Sequence, residues 1–91
     1  MNRSVLVTGA ASGIGRAIAS RFLAGGDRVA AVDLDLAALQ ATHRECWADA
    51  GERVTLIRAD VSSAADAPAA VSQALSRCGR LDVVEIGRAH V

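Results

Sequence analysis

Tyrosine and lysine are absent from the 91-residue chain, and tryptophan, phenylalanine, methionine and proline occur once each. A mechanism that needs a phenol or an ε-amine therefore cannot be completed by these residues. The missing lysine also excludes the phosphate-binding loop GxxxxGK[S/T], and with it a standard nucleoside-triphosphate hydrolase. Two cysteines, Cys46 and Cys78, are too few for a disulfide framework and lack CxxC spacing, which implies a reducing compartment. Apolar runs are short: Val5-Leu6-Val7 stops at Thr8-Gly9, and Val29-Ala30-Ala31-Val32 stops at Asp33. Neither approaches the ~20 residues of a membrane span or the apolar core of a signal peptide. Ten arginines balance ten acidic residues, so there is no electrostatic reason to expect nucleic acid or an anionic membrane as partner. These exclusions leave a soluble, cytoplasmic chain.

What is present is apolar and small. Hydrophobic residues make up 52% of the chain and twenty residues are alanine, which excludes a disordered tail. The length is that of one domain or part of one. Strand and helix signals alternate. Val5–Val7 predicts a buried strand, followed by a glycine-rich turn over Thr8–Gly15 and a helix with Ile14, Ile18 and Phe22 facing inward. Gly25-Gly26 stops that helix, and Val29–Val32 forms the second strand. Asp35 is the expected N-cap of a second helix with Leu36, Leu39, Cys46 and Trp47 inward. His43 lies near that stripe without other ligand types at metal spacing and receives no role. Val54–Ala59 is the third strand. Ser63 with Asp66 resembles a capping box, Pro68 falls in the first turn, and Val71, Leu75 and Cys78 line the inner face of a third helix ended by Gly79. Leu81–Val84 opens a fourth strand. The pattern βαβαβαβ predicts an α/β, doubly wound Rossmann-type parallel sheet, in its first half only, with strand order 3-2-1-4. Helices one and two are expected on one face and helix three on the other.

The turn Thr8-Gly9-Ala10-Ala11-Ser12-Gly13-Ile14-Gly15 carries most of the functional information. A helix start offers unpaired N–H groups and about half a positive charge, which suits a phosphate. Glycines let the backbone approach a pyrophosphate without a Cβ in the way. A turn that only reversed the chain would not need three glycines in seven residues. The spacing Gly-x-x-x-Gly-x-Gly directly after the first strand resembles the cofactor turn of the classical short-chain dehydrogenases/reductases. Asp33 closing strand two, Asp60-Val61 closing strand three and Gly79-Arg80-Leu81-Asp82-Val83-Val84 entering strand four extend the resemblance over Met1–Val84.

The resemblance implies an NAD(P)-dependent oxidoreductase interconverting an alcohol and a ketone. Gly9, Ser12, Gly13, Ile14 and Gly15 would hold the pyrophosphate, and Asp33 both hydroxyls of the adenine ribose. Asp33, with neutral Ser12 in the turn, favours NAD over NADP, whose 2′-phosphate would meet like charge. Asp60 would accept from the adenine amino group while the Val61 backbone reads the ring edge; a cap residue and an ordinary strand end are the equal alternatives for these two. For the parent enzyme the resemblance implies a small-molecule substrate and homo-oligomeric assembly. Two other readings stand beside it: a Rossmann-like methyltransferase, and a non-catalytic dinucleotide sensor or scaffold.

The resemblance breaks after Val84. The family continues into Asn-Asn-Ala-Gly and, further on, a Ser and Tyr-x-x-x-Lys; here Glu85-Ile86-Gly87-Arg88-Ala89-His90-Val91 follows. A charged Glu and a Gly-Arg pair are not expected to extend a buried central strand. Ile-Gly-Arg-Ala-His-Val is also the translation, in one frame, of a common sequencing-adapter stretch. Residues 1–84 therefore read as a truncated NAD(P)-binding domain and residues 85–91 as a non-native tail. No catalytic residue and no metal ligand is assigned. A four-stranded sheet nearly 20 Å wide, with one helix of ~10 Å on one face, is expected to be marginal alone.

Overall fold

Every predicted element is present in the computed structural model, which describes residues 2–86. The order is β1 (Ser4–Thr8), α1 (Gly13–Ala24), β2 (Arg28–Asp33), α2 (Leu36–Cys46), β3 (Val54–Arg58), α3 (Asp66–Cys78) and β4 (Val83–Ile86). A short stretch of 3-10 turns, Ala48–Arg53, kinked at Gly51, precedes β3 and was not foreshadowed by any pattern in the sequence. The strands form one sheet in the order β3-β2-β1-β4, and every pair is parallel. This is the expected doubly wound half-sheet.

Alternation along β1 and β2 explains the two layers, because successive strand side chains point to opposite faces. Val5, Val7, Val29 and Ala31 pack with Ala19, Leu23, Leu39 and Trp47 of the α1–α2 side. Leu6, Ala30, Val32 and Ile57 pack with Ala70 and Ala74 of α3. The central strands are thus buried on both faces, as their continuous apolar runs require. Full burial of one side chain such as Leu39 contributes roughly 2 kcal/mol.

The helices turn slightly away from their expected faces. In α1 the buried row is Gly15, Ala19 and Leu23. Ile14 is 66% exposed, and Ile18 and Phe22 are only partly buried beside the core. In α3 the buried row is Ala70 and Ala74, leaving Val71 and Leu75 exposed. Both rows are displaced by one residue toward the smaller side chains, which allow helix and sheet to approach closely. In α2, Leu39 and Trp47 are buried as expected, but Leu36 and Cys46 are exposed and Thr42 is buried instead.

The chain breaks follow the glycines and caps. Asp35 caps α2, its Oδ1 accepting from Ala38 N at 3.0 Å. Gly79 ends α3 in the left-handed region at φ 84°. Ser63 and Asp66 do not form a reciprocal box: Ser63 Oγ accepts from Ala65 N and Asp66 N, while the Asp66 carboxylate accepts from Asp60 N at 3.0 Å. The connection folds back so that Asp66 reaches the end of β3 rather than its own cap.

At the amino ends of the strands, Asp27 and Asp82 act as clasps. Asp27 Oδ1 accepts from Arg3 N at 2.8 Å, and Asp82 Oδ2 accepts from both Ser4 N and Arg80 Nε at 2.9 Å. Glu85 and Ile86 continue β4 opposite Val7 and Thr8, contrary to the expected stop at Val84. Ladder pairing uses backbone groups alone, which every residue but proline supplies in full. Gly87–Val91, the rest of the segment read as a tail, lie outside the described residues.

Candidate functional site

The carboxyl ends of β1, β2 and β3 converge on one crevice, where open parallel sheets hold ligands. The turn after β1 is built by three glycines for two different reasons. Gly9 and Gly13 have φ of 65° and 58°, in the left-handed region that a Cβ disfavours. Gly15 is required by proximity: a Cβ there would collide with the Gly9 carbonyl group. Helix α1 thereby packs directly on the turn that starts it. Around Gly13 a Cβ would meet nothing within 4 Å, so the space in front of the helix is open.

The start of α1 is unguarded by its own side chains. The first N–H groups of a helix have no intrahelical acceptor. Ser12, in the N-cap position with extended backbone, makes no side-chain capping hydrogen bond. There is also no acidic residue in the first turn. The partial positive charge of a twelve-residue helix is left without a counter-charge in its own first turn, an arrangement suited to an anionic group.

Asp33, the last residue of β2, is half-buried and firmly held. Its Oδ2 accepts from Ala11 N and its Oδ1 from Asp35 N, each at 3.0 Å. A carboxylate has about four lone-pair positions, so each oxygen keeps acceptor capacity toward the crevice. Backbone bonds from Ala10 N to Val32 O and from Ala59 N to Asp33 O, both 3.1 Å, tie the three strand ends together.

Asp60 follows β3. Its Oδ1 accepts from Ser62 Oγ at 2.6 Å and from Ser62 N at 3.0 Å. These two bonds hold its carboxyl below the ordinary aspartate range, the hydroxyl contributing most. Both fall on Oδ1, and among the described residues Oδ2 accepts no hydrogen bond. A cavity of about 170 Å³ lies between these groups, floored by Val32 and Ala59 and rimmed by Gly9, Asp33, Leu34, Asp60 and Val61. Val61, on the rim, is 44% exposed.

Of the eight residues singled out from sequence, Gly9, Asp33, Asp60 and Val61 line this cavity. Ser12, Gly13, Ile14 and Gly15 do not line it; they form the adjoining helix start. Sequence reasoning missed Ala11 and Thr42, whose backbone and side chain fix the turn from behind. Thr42 lies at i+3 from buried Leu39, the one signal that placed it inward. A larger cavity of about 400 Å³ opens at the opposite end of the sheet, beside Arg3, Arg28, Cys78 and Arg80. Arg3 and Arg80 there are already paired with Asp27 and Asp82, so that end reads as a structural clasp. Among the described residues, no group of three His, Cys, Asp or Glu could hold a metal ion, and no helix is long and apolar enough to cross a membrane.

The chain has clear relatives among known proteins in both sequence and fold. Residues 3–87 match the family model described as short chain dehydrogenase. The 2-(R)-hydroxypropyl-CoM dehydrogenase of Xanthobacter autotrophicus is 46% identical over 84 residues, covering 92% of this chain and 34% of that protein. The D-threitol dehydrogenase of Mycolicibacterium smegmatis is 42% identical over 79 residues, covering 87% of this chain and 30% of that protein. Among solved structures, a 3-ketoacyl-(acyl-carrier-protein) reductase from Brucella melitensis complexed with NADH superposes with a TM-score of 0.80 at 39% identity. That match covers 90% of this chain and 32% of the reductase. A short-chain dehydrogenase/reductase from Burkholderia phymatum in complex with NAD gives a TM-score of 0.83 at 34% identity, over 91% of this chain and 29% of that one. The chain spans about a third of the length of the curated relatives it matches.

Proposed function

Since this chain belongs to the short-chain dehydrogenase family, we propose that it forms the adenosine- and pyrophosphate-holding portion of an NAD-dependent enzyme interconverting a small alcohol and a ketone. The observation that carries this reading is the juxtaposition of the uncapped start of α1 with the cavity between Asp33 and Asp60. The residues fit a dinucleotide. The N–H groups around Gly13, Ile14 and Gly15 receive the pyrophosphate, with Gly9 and Ser12 shaping its approach. Asp33 accepts from the ribose hydroxyls with its remaining lone pairs, Asp60 Oδ2 from the adenine amino group, and the Val61 backbone meets the ring edge.

When bound, the nicotinamide supplies the hydride acceptor or donor. The proton exchanged at the substrate oxygen has no donor here, because the Tyr-x-x-x-Lys pair of the family has no counterpart among these residues. In this reading the partners are a dinucleotide and a small-molecule substrate, the setting is the cytoplasm, and the parent assembles as a homo-oligomer like its family. NAD is preferred to NADP because a 2′-phosphate carrying roughly −2 would meet the Asp33 carboxylate with no lysine to offset it.

Titration of both cofactors into wild type and Asp33→Ala tests the assignment. Wild type should bind NAD at least about tenfold more tightly than NADP, and the substitution should erase most of that ratio. The ratio is the informative quantity, since Asp33 also anchors the turn through Ala11 and its loss weakens both cofactors alike. Equal affinity for NAD and NADP in wild type, or an unchanged ratio in the variant, overturns the ribose role.

A further inference from the structure

The peptide groups of Ala11 are held from two sides. Its N–H donates to Asp33 Oδ2 at 3.0 Å, and its carbonyl accepts from Thr42 Oγ1 at 3.2 Å. Ala11 lies between Gly9 and Gly13, the two left-handed positions of the turn, where the backbone is otherwise least constrained. Thr42 comes from a different element, α2, and is 3% exposed. A hydroxyl buried so deeply needs a partner, and among the described residues the Ala11 carbonyl is the one it has. Valine would fill the same space without that requirement. Thr42 does not line the cavity, so any effect it has on a ligand passes through the turn.

We propose that Thr42 is a positioning residue of the dinucleotide site, fixing through the Ala11 carbonyl the turn that receives the pyrophosphate. This rests on reading Thr8–Gly15 as the pyrophosphate cradle. The hydroxyl and the Asp33 carboxylate grip opposite ends of one residue, and together they preset the spacing between the two left-handed glycines. A preset turn loses less conformational freedom on binding than a mobile one.

The test compares NAD with adenosine, which lacks the pyrophosphate, in titrations of the purified chain. Thr42→Val should weaken NAD about 3- to 10-fold, the equivalent of one lost hydrogen bond. Adenosine affinity should change by less than about twofold, because Gly9 is the one residue of the turn that lines the Asp33–Asp60 cavity. Thr42→Ser keeps the hydroxyl and should bind NAD within about twofold of wild type. The proposal is overturned if Thr42→Val binds NAD as wild type does, if it loses NAD and adenosine equally, or if Thr42→Ser loses as much as Thr42→Val. If wild type gains nothing from the pyrophosphate, with NAD and adenosine bound equally, the cradle reading itself falls. That failure is visible without any variant.

Discussion

Asp60 and Asp82 illustrate how single side chains set the chain's response to acid. Both carboxyls are held below the ordinary aspartate range, Asp60 chiefly by the Ser62 hydroxyl and amide, Asp82 chiefly by the Ser4 amide and then Arg80. A depressed folded value means that the stabilisation is complete above the unfolded value, about pH 4, and is lost as pH falls through the lower folded value. Stability should therefore be flat from about pH 7 to pH 5 with respect to these two groups and fall below pH 4. Asp82→Asn should flatten part of that acid limb, measured by denaturant unfolding across pH. Persistence of the full acid limb in the variant would mean that the Ser4–Asp82 clasp contributes nothing. Asp33 shows the other side of residue-level reading. Its position at the end of β2 was legible from its spacing after the glycine turn, but its grip on Ala11 N was not, because that contact spans 22 positions.

Helices are where small side chains decide the packing. The i, i+4 spacing of Ile14, Ile18 and Phe22 is real, yet the adjacent row Gly15, Ala19 and Leu23 is the one pressed on the sheet. Hydropathy favours the larger residues, whereas close approach selects the row with the smallest side chain at the tightest point. Gly15 is that point. Gly15→Ala should destabilise the fold by about 3 kcal/mol or more, since its Cβ would collide with the Gly9 backbone rather than with a movable side chain. Thermal unfolding should then shift by on the order of 10 °C or more for a chain of this size. Gly13→Ala, strained only by its φ of 58°, should cost roughly 1–2 kcal/mol. Equal losses at the two positions would contradict the assignment of different reasons to different glycines. The same selection operates in α3, where Ala70 and Ala74 face the sheet and Val71 and Leu75 face outward.

At the scale of the whole molecule, the sheet presents the proposed cofactor crevice without a tyrosine or lysine beside it. No residue among the 91 is a tyrosine or lysine. The purified chain should therefore give no dehydrogenase turnover with NAD and small secondary alcohols, followed by NADH absorbance. Reproducible NADH production free of host enzymes would show that proton transfer here uses another group. Binding and turnover are thus expected to separate: the residues proposed to hold the adenosine are present, whereas tyrosine and lysine are absent from these 91 residues.

The order of elements, the parallel sheet, the glycine turn and the strand-end carboxylates were determined by the sequence itself. These features are local: apolar runs bounded by Gly and Asp, and a spacing that only a strand–turn–helix satisfies. Tertiary structure alone decided which helix row is buried, that the Asp66 carboxylate accepts from Asp60 N rather than Ser63 N, and that Glu85 and Ile86 still pair with β1. It also decided that Thr42 and Asp33 meet at Ala11. Each of these depends on the distance between segments far apart in the chain. Such distances are set by how closely small residues let the layers approach, a quantity that periodicity in one segment does not contain.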